Sequence, residues 1–430
     1  MRLRLFSLLT FLLLAAAAHA QPNPQLASWL LNTTGATGFN GLPANVQRVQ
    51  YSTTSVYVSC SAIPSYTAGY VAPASGQGTP ATNSWFPQPT RGPVAQGFTF
   101  RVPRVPQPNA GAAINIPPDH VGLWLNGVTM FNGQDAASYN NQGVWFTDAV
   151  VNEGIGFDRC NGHPNMQDEY HTHLNPTCLY NDRDSTRHSP IIGWAFDGYP
   201  IYGTYGYRNA NGTGGVKSMK SSYRQRSITQ RRTLSDGTVL SASQYGPPVS
   251  AQNPIGKYVE DNEYVAGRGD LDASNGRFCV TPEYPQGTYA YFVTLNSLYE
   301  GAYPYVLGKT YYGVAPNWGN FGGPNSGHVA VNEPVTTYLP LAARAAIGLT
   351  VRCFPNPAPE QLTVELPASA PHALRAWLLD GLGQPVRSAV ALAVGRPAVL
   401  DVRGLAAGLY FLWVEGEGVA FSEKIVVGQH

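Results

Sequence analysis

Between Cys160 and Cys178 the chain reads CNGHPNMQDEYHTHLNPTC, and no other stretch limits the fold as tightly. On an extended strand side chains alternate faces, so Glu169, His171 and His173 project to one side and Tyr170 and Thr172 to the other. Same-face Cα atoms lie about 6.5–7 Å apart, a separation that two imidazoles can close onto one metal ion. His163, between Gly162 and Pro164, sits on a turn that can fold back over this strand. His188 lies in a later loop, followed by an apolar run from Ile191 to Phe196 and then Asp197. The candidate pocket therefore comprises His163, His171, His173 and His188. Asp197 or Glu169 serves it as a fifth ligand or as a carboxylate orienting an imidazole. Such a set favours copper or zinc, and mixed histidine and carboxylate sets also admit iron or manganese. In the competing reading the histidines satisfy buried hydrogen bonds in an aromatic-rich β protein.

Both chain ends carry addresses. Arg2 and Arg4, the apolar stretch Leu5 to Ala17 and the small-x-small site Ala18-His19-Ala20 read as a signal peptide over residues 1–20. No later segment is long and apolar enough to span a bilayer. From Val351 onward short strands alternate with Gly and Pro turns, the pattern of a small β-sandwich over residues 351–430. The opening Phe354-Pro355-Asn356-Pro357, the Asp380-Gly381-Leu382-Gly383 turn, the segment Leu405 to Tyr410 and the terminal Lys424 occur in order. This segment resembles the C-terminal sorting domain of the type IX (Por) secretion system of Bacteroidetes. The resemblance implies that residues 351–430 engage the type IX machinery, with the protein released or held at the outer cell surface.

Only 12% of residues are charged and the net charge is +1, which argues against a nucleic-acid partner. Abundant Gly, Pro and Tyr suit a turn-rich, mainly β exported protein. In an exported chain disulfides persist. Pairing Cys160 with Cys178 would bracket the histidine strand and contribute roughly 3 kcal/mol by chain entropy. The alternative is that one of these two thiols ligates the metal. Cys60 and Cys279 are candidates for a second bridge, and Cys353 is left over.

Residues 21–45 read as a loosely packed lead-in, 46–312 as an antiparallel β-rich domain with long loops, and 313–350 as a linker. Within the domain, VQRVQYSTTSVYVSC gives one long or two short strands, residues 73–95 a loop, GFTFRVP a strand, and Asn126-Gly127 a hairpin turn. No amphipathic helix is evident before the histidine segment, and GTYAYFVT and KTYYG read as strands. Arg224, Arg226, Arg231 and Arg232 either line a solvated loop or meet an anionic glycan or phosphate. Asp270 and Asp272 offer a calcium loop, although glycine arrives one position later than in an EF-hand and no helix flanks it. The competing reading is a turn whose carboxylates cap amides.

Taken in order, Phe157-Asp158-x-Cys160-x-Gly162-His163-Pro164, Tyr170-His171-Thr172-His173, His188-Ser189-Pro190-Ile191-Ile192-Gly193 and Phe196-Asp197-Gly198-Tyr199-Pro200-Ile201-Tyr202-Gly203 resemble the YHYH-domain family of exported bacterial proteins. Later matches at residues 269–272, 275–278 and 281–285 extend the similarity over about residues 46–312. The chain departs from the family pattern at Thr172, where the second tyrosine is expected. On a strand Thr172 faces away from both histidines, so ligand geometry survives and only back-face packing changes. The family brings no established reaction.

Three functions follow. The first is a secreted or surface-bound metal-binding protein. The second is a metal-dependent extracellular oxidoreductase or hydrolase at the same site, requiring an open coordination position. The third is a module that binds a surface polysaccharide or other glycan through exposed aromatics. Familiar hydrolase motifs such as G-x-S-x-G and H-E-x-x-H are absent from the sequence.

Overall fold

The computed structural model describes residues 23–66, 92–338 and 351–428, apart from 369, 371–373, 381–384 and 417–418. The signal peptide expected over 1–20 lies outside the described residues, as do most of the 73–95 loop and the glycines of the 380–383 turn. The chain divides into two compact units, Pro24–Tyr338 and one holding the C-terminal segment. Strand outweighs helix, 35% against 6%, so the mainly β expectation holds.

The larger unit is built on an eight-stranded sheet. Its order is Gly276–Cys279, Thr288–Phe292, Pro200–Tyr202, Ile191–Ala195, His120–Trp124, Thr129–Phe131, Tyr170–Thr172, Gly162–Pro164. Its central strands His120–Trp124 and Ile191–Ala195 are buried at every position, the mark of strands covered on both faces. Gly193 permits their close approach, since a Cβ there would lie 2.7 Å from the Leu123 carbonyl oxygen. Asn126-Gly127 turns the chain between His120–Trp124 and Thr129–Phe131 as a hairpin, with Gly127 at φ +75°. Two junctions are parallel: Pro200–Tyr202 beside Thr288–Phe292, and Thr129–Phe131 beside Tyr170–Thr172. A second sheet joins Val46–Tyr51, Ser55–Cys60, Phe98–Pro103 and Thr336–Thr337, so the first long β stretch is two strands. Thr288–Phe292 forms as expected, whereas residues 309–313 form only isolated bridges.

This body is wider than the 46–312 domain expected from sequence. Leu26 and Trp29, in the expected lead-in, are buried in its core, as is Ala315 in the expected linker. The expected Cys60–Cys279 bridge is absent. Both thiols are free and buried, on strands of different sheets, where they pack as small apolar groups. Burial pushes the Cys60 thiol up to about 12.

In the C-terminal unit, Arg352–Phe354, Gln361–Glu365 and Ala398–Asp401 form one sheet. Val390–Leu392, Leu374–Leu379, Gly408–Gly416 and Val419–Val427 form the other. Leu362, Val364 and Leu400 from the first share a core with Leu378, Leu412 and Ile425 from the second. Two antiparallel sheets around one apolar core make the expected sandwich.

Candidate metal centre

The Cys160–Cys178 disulfide forms and brackets the last two strands at one side of the large sheet. It also removes both sulfurs as thiolate ligands. Gly162–Pro164 and Tyr170–Thr172 pair antiparallel with His163 directly opposite His171. Asn165 closes the turn between them, its Oδ1 accepting from the Gln167 and Glu169 amides. Gly162 leaves room for Tyr170, whose ring would lie within 2.3 Å of a Cβ at that position. Behind the strand, Tyr170 donates to Asp158 at 2.8 Å and Thr172 Oγ1 accepts from Trp124 Nε1 at 2.7 Å. Alternation thus sends His171 to the opposite face, and His173, just past the strand, meets it there.

The fourth member comes from outside this segment. Asp148 caps the five-residue helix Ala149–Glu153, accepting from the Val150 and Val151 amides, and the helix ends with Glu153 aimed at the histidines. Glu153 Oε2 lies 3.0 Å from His163 Nε2 and 3.2 Å from His173 Nε2. His171 Nε2 and His173 Nε2 stand 3.1 Å apart. Ligand atoms of Glu153, His163, His171 and His173 all fall within 4.8 Å of one another, and among the described residues no other His, Cys, Asp and Glu group converges in this way. All four residues are buried.

Electrostatics ready the set for a cation. Burial pushes His163 below the ordinary imidazole value, an effect that Glu153 opposes and His173 reinforces. Burial, with the neighbouring His163 and His173, holds His171 well below it. Burial alone would raise the Glu153 carboxyl, yet its close contacts with the His163 and His173 imidazoles outweigh it and hold the group down at about 2. The result is a buried carboxylate close to two imidazoles, His163 and His171, that favour their neutral form.

The other residues singled out in the sequence lie elsewhere. Glu169 turns its carboxylate to His120 Nε2 at 2.8 Å and Thr129 Oγ1 at 2.5 Å. It reaches the cluster through its backbone, its carbonyl facing His171 Nδ1 at 3.2 Å. Burial would lower His120, but the Glu169 carboxylate outweighs it and raises the imidazole. Phe131 stands between the two groups, 4.0 Å from His171 and 5.1 Å from His120 by ring centroids. His188 and Asp197 flank the strand Ile191–Ala195, three strand spacings or about 14 Å from Tyr170–Thr172. There the His188 ring packs on Tyr202 and Tyr207, and its Nδ1 faces the Ser189 carbonyl at 2.7 Å. Asp197 accepts from Tyr291 Oη at 2.6 Å and the Gly313 amide at 2.9 Å, and burial pushes its carboxyl up to about 6.

Two lesser expectations resolve differently. Asp270 takes Lys217 Nζ at 2.5 Å, while Asp272 accepts from Ser274, Gly276 and Tyr289. The turn reading describes Asp272, whereas Asp270 is held by Lys217 and the amide of Lys220. The arginine cluster is dispersed: Arg231 is buried against Asp261, Arg226 against backbone carbonyls, and Arg224 pairs with Glu263.

Glu153 and His120 lie outside the histidine segment and carry no motif that marks them in the sequence. The signals for Glu153 are an Asp148 cap and the closing Gly154, with only five residues between them, two of them β-branched valines.

Residues 99–304 match the family described as YHYH protein, and residues 352–428 match the secretion system C-terminal sorting domain. No curated protein matches the chain at a significant level. Among the described residues no helix is long and apolar enough to cross a membrane. The central match covers the disulfide, the edge hairpin, the short helix and every member of the cluster. Residues 99–304 are therefore a YHYH domain, joined to a sorting domain that directs the chain through type IX secretion to the cell surface or beyond.

Proposed function

We propose that this exported protein binds one transition metal ion through Glu153, His163, His171 and His173. The observation that carries the reading is the facing pair of His171 and His173. Each ring has its Nδ1 against a backbone carbonyl, Glu169 for His171 and Asn132 for His173. A carbonyl only accepts, so both Nδ1 atoms carry a proton, and in the metal-binding form, with that one proton on each ring, both Nε2 atoms offer a lone pair to the ion. Two lone pairs 3.1 Å apart repel unless a cation lies between them. The carbonyl contacts are also the partners that fix imidazole ligands on metals.

The donor set fits such an ion. Ligands about 2.0–2.2 Å from a tetrahedral metal lie about 3.3–3.6 Å from each other, a few tenths of an ångström beyond the three contacts of 3.0, 3.1 and 3.2 Å here. Three imidazoles and a carboxylate, with no thiolate, suit zinc or copper(II) better than copper(I). Four buried protein ligands fit a structural ion, whereas the enzymatic alternative needs an open position. A bound ion would tie the helix Ala149–Glu153 to the edge hairpin. Elemental mass spectrometry of the mature protein, purified without chelators, tests the reading. We expect near-stoichiometric zinc or copper in the wild type and none in His171→Ala/His173→Ala. Folded wild-type protein that stays metal-free after zinc and copper are added would overturn it.

A further inference from the structure

The helix that ends in Glu153 also lends Val150 and Val151 to a separate cleft of about 710 Å³, into which none of the three clustered histidines projects. This size lies within the range that holds a small organic ligand. Its charged lining is one-sided. Lys220 and Arg268 are exposed in the cleft wall and, among the described residues, neither has a carboxylate partner. Arg224 adds a third cation, held by Glu263 at 2.8 Å. The one carboxylate in the lining, Asp148, is taken up by the Val150 and Val151 amides and by Tyr305 Oη. Tyrosines supply the rest of the chemistry. Tyr223 packs edge-on against Tyr303 at 5.2 Å, and Tyr299 shares a hydroxyl contact with Tyr205 at 3.2 Å beneath the Arg183 guanidinium.

The geometry points to this cleft as a binding site for an acidic oligosaccharide, one carrying carboxylate or sulfate groups. Tyrosine combines a flat apolar face, which suits the C–H face of a sugar ring, with a hydroxyl that exchanges hydrogen bonds with sugar hydroxyls. Unpaired Lys and Arg at the wall supply charge-assisted bonds to an anionic substituent. The cleft shares no side chain with the cluster, although both draw on the helix Ala149–Glu153.

Calorimetric titration of the mature full-length protein tests this with three probes of matched length: oligogalacturonate, a chondroitin sulfate oligosaccharide and a neutral cello-oligosaccharide. We expect at least one acidic probe to bind, the neutral probe to bind at least ~10-fold more weakly, and added salt to weaken the acidic complex. Lys220→Gln/Arg268→Gln, both exposed positions, should weaken acidic binding by about 10-fold or more while circular dichroism stays unchanged. Preference between galacturonate and the sulfated probe identifies which anion is read. Equal binding of the neutral probe, undiminished binding by the folded double variant, or no binding of either acidic probe would overturn the assignment.

Discussion

The two units of this chain are made of the same strands and turns, yet they bury different things. Among the described residues of the C-terminal sandwich, the buried side chains are apolar, as at Leu362, Val364, Ala376, Leu378 and Leu412, and none is charged, amide or histidine. The larger unit buries His120, His163, His171, His173, Glu153, Glu169, Asp197, Arg231 and Asp261. Burying such groups is costly unless they are partnered, so each fixes the position of its neighbours. An apolar core suffices to hold two sheets for recognition from outside. A core crossed by ionisable groups positions chemistry. In this protein the export address and the candidate metal centre are thus separated by the kind of interior each needs.

That contrast can be attacked at several points, taken here from the largest effect downward. Asp261→Ala leaves Arg231, which donates two 2.7 Å bonds to that carboxylate, as an uncompensated buried charge. Chemical denaturation should show a loss of about 3–5 kcal/mol in the larger unit with the sandwich transition unmoved. Leu412→Ala deletes apolar packing alone and should cost the sandwich about 3 kcal/mol while the larger unit is unaffected. Coupled shifts of both transitions in either variant would break the comparison. Thr172→Val strips Trp124 Nε1 of its acceptor on the face away from the histidines. It should cost about 1–3 kcal/mol without changing metal content, and loss of metal would place Thr172 in the site.

The smallest effect is on pH. His163 and His171 are pushed below the ordinary 6.5, so protons compete with a metal only beneath that value. Glu153, held at about 2, stays ionised throughout that range. Metal should be retained as pH falls through 6.5 and released only further down, as these imidazoles take up protons. Release at or above 6.5, followed by a metal-sensitive dye, would show that the imidazoles are not held neutral.

Much of this was legible in the sequence, for physical reasons that also mark where legibility ends. His171 and His173 are separated by one residue, so strand alternation alone puts them on one face. His163 follows because a proline turn and two bracketing cysteines force a tight hairpin. Asn126-Gly127 announced its turn by the same local logic. Glu153 and His120 are brought in by tertiary structure. The parallel pairing of Thr129–Phe131 with Tyr170–Thr172 sets His120 beside Glu169, and no local signal encodes a parallel partner. His188 and Asp197 have suitable chemistry and lie close in sequence, but two strands intervene in the sheet order. Composition placed the right residue types in the right domain; sheet order chose among them.

The most direct test is metal affinity of Glu153→Ala set beside Asp197→Asn and His188→Ala, measured by competition with a chelating dye. The structure predicts that Glu153→Ala loses at least ~100-fold in affinity, since it removes a ligand, whereas loss of a supporting partner costs 10–100-fold. Asp197→Asn and His188→Ala should bind as the wild type does. Wild-type affinity in Glu153→Ala, or loss confined to the other two variants, would contradict the assignment of the site.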